Sequence, residues 1–121
     1  KKLPSIAVED IGRCAYGLFK RPELIGKTVG IAGEHLTGAQ LAAALSEALG
    51  QPVAYNAVTP DAYRKFGFPG AEDLGNMFQY KCDFEKEYCA ARDLAFSRSL
   101  NPQLQSFAQW LEANASRIPT A

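Results

Sequence analysis

Strand-forming sequence is confined to the first half of this chain, and that limits what it can fold into more than any other feature. Three short stretches carry it. Residues 3–8 are mostly apolar, residues 27–32 hold β-branched side chains between two glycines, and residues 53–58 alternate weakly. Everything after residue 58 reads as helix and turn. The order strand, helix, strand, helix, strand, then helices only gives a mixed α/β class with few short strands and several helices. Three such strands cannot make a self-sufficient sheet with helices on both faces, so the chain reads as one part of a larger sheet structure. No repeat, low-complexity tract or linker divides its 121 residues, which form a single unit over 1–121.

The helix signals are local and specific. Ile11, Cys14, Ala15 and Leu18 repeat at i, i+3, i+4 and i+7, which predicts an amphipathic helix. Asp10 stands at its start, where a carboxylate caps backbone N–H groups and complements the dipole, and Pro22 closes it. Thr37 with Gln40 makes a capping box ahead of an apolar face of Leu41, Ala44, Leu45, Ala48 and Leu49, and Gly50 stops that helix. Thr59 and Pro60 open a short helix through Tyr63 and Phe66 that ends at Gly67. Phe68-Pro69-Gly70 is a turn, after which Leu74, Met77 and Phe78 predict a further helix interrupted by Gly75. Helix is expected again between residues 81 and 100, with Leu94 and Ala95 inward. Asn101-Pro102 breaks the chain, and Ser106 with Gln109 opens a last helix docked by Phe107, Trp110 and Leu111. The tail after Ile118 is expected to be loose.

Charge and cysteine content exclude several function classes. Thirteen Lys+Arg balance thirteen Asp+Glu with no basic cluster, so no nucleic-acid partner is expected. No apolar run approaches a membrane span, and no apolar stretch follows the N-terminal lysines as a signal peptide would require. Three cysteines without paired spacing point to a reducing, cytoplasmic setting. Cys82 and Cys89, seven apart, could share a helix face, but further metal ligands at zinc-site spacing are missing, so no metal site is expected.

The polar candidates for chemistry are few. Tyr16 and Lys20 fit Y-x-x-x-K, in which a lysine one turn away lowers the pKa of an acid tyrosine. With five tyrosines and seven lysines a chance match is common, and an ordinary surface i, i+4 pair is the better reading. Asp10 and His35 are the best isolated polar residues, read respectively as a helix cap and a solvated loop histidine. Gly30-x-x-Gly33 and Gly67-x-x-Gly70 do not make the G-x-G-x-x-G turn that cradles a dinucleotide phosphate, so no catalytic or cofactor-binding residue is assigned.

Residues 6–12, IAVEDIG, resemble the V-x-D-[IV]-[GA] turn of atypical and extended short-chain dehydrogenases. Gly26 through Ile31 leading into Thr37, Thr59-Pro60-Asp61-Ala62-Tyr63, and above all FGFPGAEDLGNMF at 66–78 sharpen the resemblance to the NmrA-like family. Arg92-Asp93, Leu100-Asn101-Pro102 and Phe107-Ala108-Gln109-Trp110-Leu111 continue it in order. The resemblance is to the C-terminal part only, the substrate-side lobe of a Rossmann-type protein whose upstream half holds NADP on a Gly-rich loop. It implies NADP for the full-length protein and none bound by this chain alone. It places Asp10 near the seam between lobes, and Phe68, Pro69, Gly70, Met77 and Phe78 on a cleft-lining or interface segment. It implies a non-catalytic redox sensor or regulator that acts through protein partners, with the substrate lobe of an NADPH-dependent reductase as the alternative. Contact with the missing half, or self-association, is expected in either case.

Overall fold

The computed structural model describes residues 1–120. Its elements are β1 (Lys2–Ser5), α1 (Val8–Phe19), β2 (Glu34–Thr37), α2 (Gly38–Leu49), α3 (Pro60–Arg64), α4 (Ala71–Asp83), α5 (Glu85–Ala90), α6 (Leu94–Leu100) and α7 (Phe107–Asn114), with 3-10 turns at Pro22–Leu24 and Ala115–Arg117. The class is mixed α/β with few short strands and several helices, as the sequence implies. β1 and β2 pair antiparallel with Lys2 opposite Thr37 and Ser5 opposite Glu34, and the Gly33 N–H extends the pairing to the Ser5 carbonyl at 2.7 Å.

Two of the three expected strands do not form. Residues 27–32 lie outside any ladder, and the second strand is 34–37 instead; residues 53–58 also have no ladder. β-propensity describes a fit to a pleated, half-buried surface, and without a neighbouring strand nothing closes the ladder. Val29 and Ile31 still pack against the core of Cys14, Leu100 and Leu104, so the segment has a buried side but no paired backbone.

The helix starts and stops are mostly where the caps put them. Thr37 and Gln40 form the reciprocal capping box of α2, Gly50 closes it in the left-handed region, and Ser106 with Gln109 repeats the box at α7. Thr59 caps α3 with Pro60 in the first position. Helix α1 departs from expectation: it begins at Val8 with Ala7 as an N-cap that contributes no side-chain bond, so Asp10 is inside the first turn and caps nothing. Its expected apolar stripe is also incomplete, because Ile11 is exposed while Cys14 is fully buried. Between residues 81 and 100 the chain breaks twice, at Phe84 and after Ala90. In α6 the inward residues are Ser97 and Leu100, whereas Ala95 is exposed.

Two close approaches set how the helices pack. At Gly17 in α1, a Cβ would stand 2.2 Å from the Leu100 carbonyl oxygen, so α1 and α6 meet backbone to backbone. At Gly75 in α4 a Cβ would stand 2.5 Å from Arg64 Cγ, which explains a glycine inside that helix: it lets α3 lie directly on α4. Leu111, 2% exposed, anchors α7, which packs against α2.

The two glycines of α1 therefore have opposite requirements. Gly12 has open space where a Cβ would go. Gly12→Ala should stabilise the chain by about 0.5–1 kcal/mol through lost unfolded-state entropy. Gly17→Ala should destabilise it by about 1–3 kcal/mol through overpacking. Urea denaturation of the two variants against the parent chain measures both.

Candidate functional site

Asp10 is the most connected polar group among the described residues, and its side chain is fully buried. Its Oδ1 accepts from Asn101 Nδ2 at 2.9 Å and from Arg13 Nη1 at 3.0 Å. Its Oδ2 accepts from the Gln105 backbone N–H at 2.9 Å and from Gln105 Nε2 at 3.3 Å. Asn101, itself 4% exposed, accepts the Gln103 N–H at 3.1 Å. One carboxylate on α1 thus straps down the whole connection between α6 and α7. Burial pushes the Asp10 carboxyl up, but the Gln105 backbone bond, the Arg13 and Asn101 bonds and the Arg13 charge together outweigh it and hold the carboxyl below its ordinary value. With both oxygens occupied by donors, this is a structural anion and not a poised general base. Sequence reasoning read Asp10 as a cap and missed Asn101 and Gln105, whose only signal was the Asn-Pro break.

Beside this network an open cavity of about 260 Å³ lies between the start of α1 and the start of α7, lined by Ile6, Val8, Leu41, Phe107 and Trp110. Its polar neighbours are already engaged. Glu34 accepts the Phe107 N–H at 2.8 Å, Gln105 is held by Asp10, and Ser106 is in its capping box. What remains is an apolar surface suited to an apolar group.

The second surface is the α3–α4 hairpin. Tyr63 is its hub, with ring centroids 5.3 Å from Phe66, 5.8 Å from Phe68 and 5.1 Å from Phe78, the last two edge to face. Arg64 ties the two helices by donating to Asn76 at 2.9 Å and to Gln79, while within α3 it donates to Asp61 at 2.7 Å. Gly70 takes φ +90° as the entry to α4, directly after Phe68 and Pro69. Phe66, Phe68, Leu74, Met77 and Phe78 all remain exposed on this hairpin. The structure therefore brings Phe68 and Phe78 into one aromatic cluster, with Pro69 and Gly70 in its turn and Met77 on its second helix. Asp10 belongs to a separate network.

The other candidates resolve into ordinary roles. Lys20 Nζ sits over the Tyr16 ring, 4.0 Å from its centroid, a cation–π contact on an exposed face instead of a lysine placed at the hydroxyl. His35 is not a loop residue: it lies in β2, half-buried, and its Nε2–H donates to the Arg92 carbonyl at 2.8 Å. Cys14 is a core residue whose thiol is pushed up by burial and by the Asp10 charge. Cys82 and Cys89 do not share a helix, since they fall on α4 and α5. Among the described residues no three His, Cys, Asp or Glu side chains gather as metal ligands, and no helix is long and apolar enough to cross a membrane.

The strand-to-helix junctions do not fit a dinucleotide phosphate. The β1–α1 junction, Ile6-Ala7, has no glycine and leads into Glu9 and Asp10, whose charges oppose an anion at that helix start. At the β2–α2 junction the capping box fills the N-terminus, and the Tyr55 ring occupies the space beside Gly38.

The Asp10 network carries a pH signature. Its lowered carboxyl contributes stability that is complete above the unfolded value near 3.8 and is lost as pH falls through the lower folded value. Asp10→Asn should cost about 1–3 kcal/mol at pH 7, because an amide nitrogen would then face other donors. The same variant should flatten the loss of stability below the unfolded carboxyl range, as read from urea midpoints taken across the acid range.

A model of the NmrA-like family matches residues 1–111, a span that contains the Asp10 network, the aromatic hairpin and the apolar cavity. Proteins of this family are of the NAD(P)-binding, atypical short-chain dehydrogenase type. With that match over nearly its whole length, the chain belongs to the NmrA-like family.

Proposed function

We propose that this chain is the substrate-side lobe of an NADP-binding, non-catalytic NmrA-like regulatory protein that senses redox state and acts through protein partners. One observation carries the reading: the chain is too exposed to be complete by itself. Its accessible surface is 8295 Å², against about 6,400 Å² expected for a folded monomer of this mass. Large aromatic and aliphatic side chains are exposed on it, including Phe66, Phe68, Leu74, Met77 and Phe78 on the α3–α4 hairpin. Such a face calls for a cover. In this reading the hairpin lines the cleft or the interface with a nucleotide-binding half, and Asp10, in its separate network, stands near the seam between the lobes. The alternative is the substrate lobe of an NADPH-dependent reductase; Tyr16, exposed and with Lys20 over its ring face, offers no acid on this lobe, so that enzyme would draw its tyrosine from the other half.

The reading assigns the phosphate-binding elements to the other half, so the chain alone should bind NADPH weakly. Titration calorimetry of NADPH into the chain is expected to show no saturable heat. Binding tighter than about 10 μM would overturn the assignment, since that affinity, roughly −7 kcal/mol, requires a built phosphate site.

A further inference from the structure

The apolar cavity beside the Asp10 network carries one charge. Its main walls are Ile6 and Val8 at the entry to α1, Glu34 in β2, Leu41 in α2, and Phe107 and Trp110 in α7, all of them residues of this chain. At about 260 Å³ it is smaller than the sites that hold drug-sized molecules, and its size fits a single ring or a short alkyl chain.

Glu34 sets a condition on what enters. The residue is half-buried, and its Oε2 accepts the Phe107 N–H at 2.8 Å, which holds the carboxylate at the N-terminus of α7. That bond occupies one oxygen, and Oε1 accepts no hydrogen bond among the described residues. Neither ion pair of the described residues includes Glu34, and no Lys, Arg or His lines the cavity. An apolar pocket with a carboxylate oxygen to spare repels an anion and leaves that oxygen facing hydrocarbon under a neutral guest. A cation satisfies it with a charge-assisted hydrogen bond.

The aromatic walls favour the same ligand. Phe107 and Trp110 stack with their rings 12° apart and their centroids at 6.3 Å. Aromatic faces attract cations, tryptophan most strongly. We infer that this cavity is a binding site for a small organic cation: a protonated amine on a one-ring or short alkyl body, with its ammonium on Glu34 Oε1 and its body among Leu41, Phe107 and Trp110. The α3–α4 hairpin contributes no wall, so the inference rests on the cavity and its carboxylate and not on the functional reading above.

Trp110 is the only tryptophan of the chain, so its fluorescence reports on this cavity alone. The test titrates the whole chain with 2-phenylethylamine, protonated at pH 7, and separately with 2-phenylethanol and 3-phenylpropanoate, which keep the ring and change the charge. The amine is expected to give a saturable change with a midpoint below about 1 mM. The alcohol should bind roughly tenfold or more weakly, and the carboxylate should give no saturable change. Glu34→Gln keeps an acceptor for the Phe107 N–H and removes the charge, so it should bring the amine to the level of the alcohol. Should that variant fail to fold, the comparison of amine with alcohol on the parent chain decides alone. Equal binding of amine and alcohol overturns the proposal, as does no saturable binding of the amine or amine binding that Glu34→Gln leaves unchanged.

Discussion

The fold turns on a single buried carboxylate. Asp10 closes contacts across more than ninety residues of sequence, holding Asn101 and Gln105 against the first helix. A buried anion is tolerated only where donors fill its lone pairs, and here four bonds from three residues do so. The consequence is positional. With the connection after α6 fixed, Leu104 enters the core beside Cys14 and Leu100, and Ser106 arrives where it caps α7. Helix α7 then lays Leu111 against α2. Removing the carboxylate would free the connection that joins the two ends of the chain.

What could be read in the sequence was whatever is encoded within a few residues. The capping boxes at Thr37 and Ser106, the Pro60 start and the Gly50 stop are local bonds between neighbours, and each is in place. What could not be read was set by distant partners. Residues 27–32 have strand composition but no ladder, since a strand exists only where another strand meets it. Gly75 looked like a flaw in a helix until Arg64 was seen lying across it. Asp10 looked like a cap because its true partners are far along the chain. Of the residues expected at the site, Phe68 and Phe78 share one aromatic cluster around Tyr63, whereas Asp10 stands apart in a polar network of its own.

The surfaces left open follow from that construction. A chain with two short paired strands and several helices buries few large side chains completely, and among those left exposed Phe66, Phe68, Leu74, Met77 and Phe78 gather on the α3–α4 hairpin. In the reading proposed above, the hairpin is open because the family's NAD(P)-binding character calls for phosphate-holding elements that the two strand-to-helix junctions here do not provide. The hairpin, pre-formed by edge-to-face rings and clamped by Arg64 to Asn76 and Gln79, would meet such a partner with little further ordering.

The measurement that tests this account most directly is urea unfolding of the chain with and without a separately prepared nucleotide-binding half from another NmrA-like protein. A partner that binds only the folded lobe raises its stability by mass action, by about 2.7 kcal/mol at a hundredfold excess over the dissociation constant. The account predicts a midpoint that climbs with the concentration of the added half, and a smaller climb for Phe78→Ser. A midpoint that does not move at any concentration would contradict it and leave the exposed hairpin without the role assigned to it.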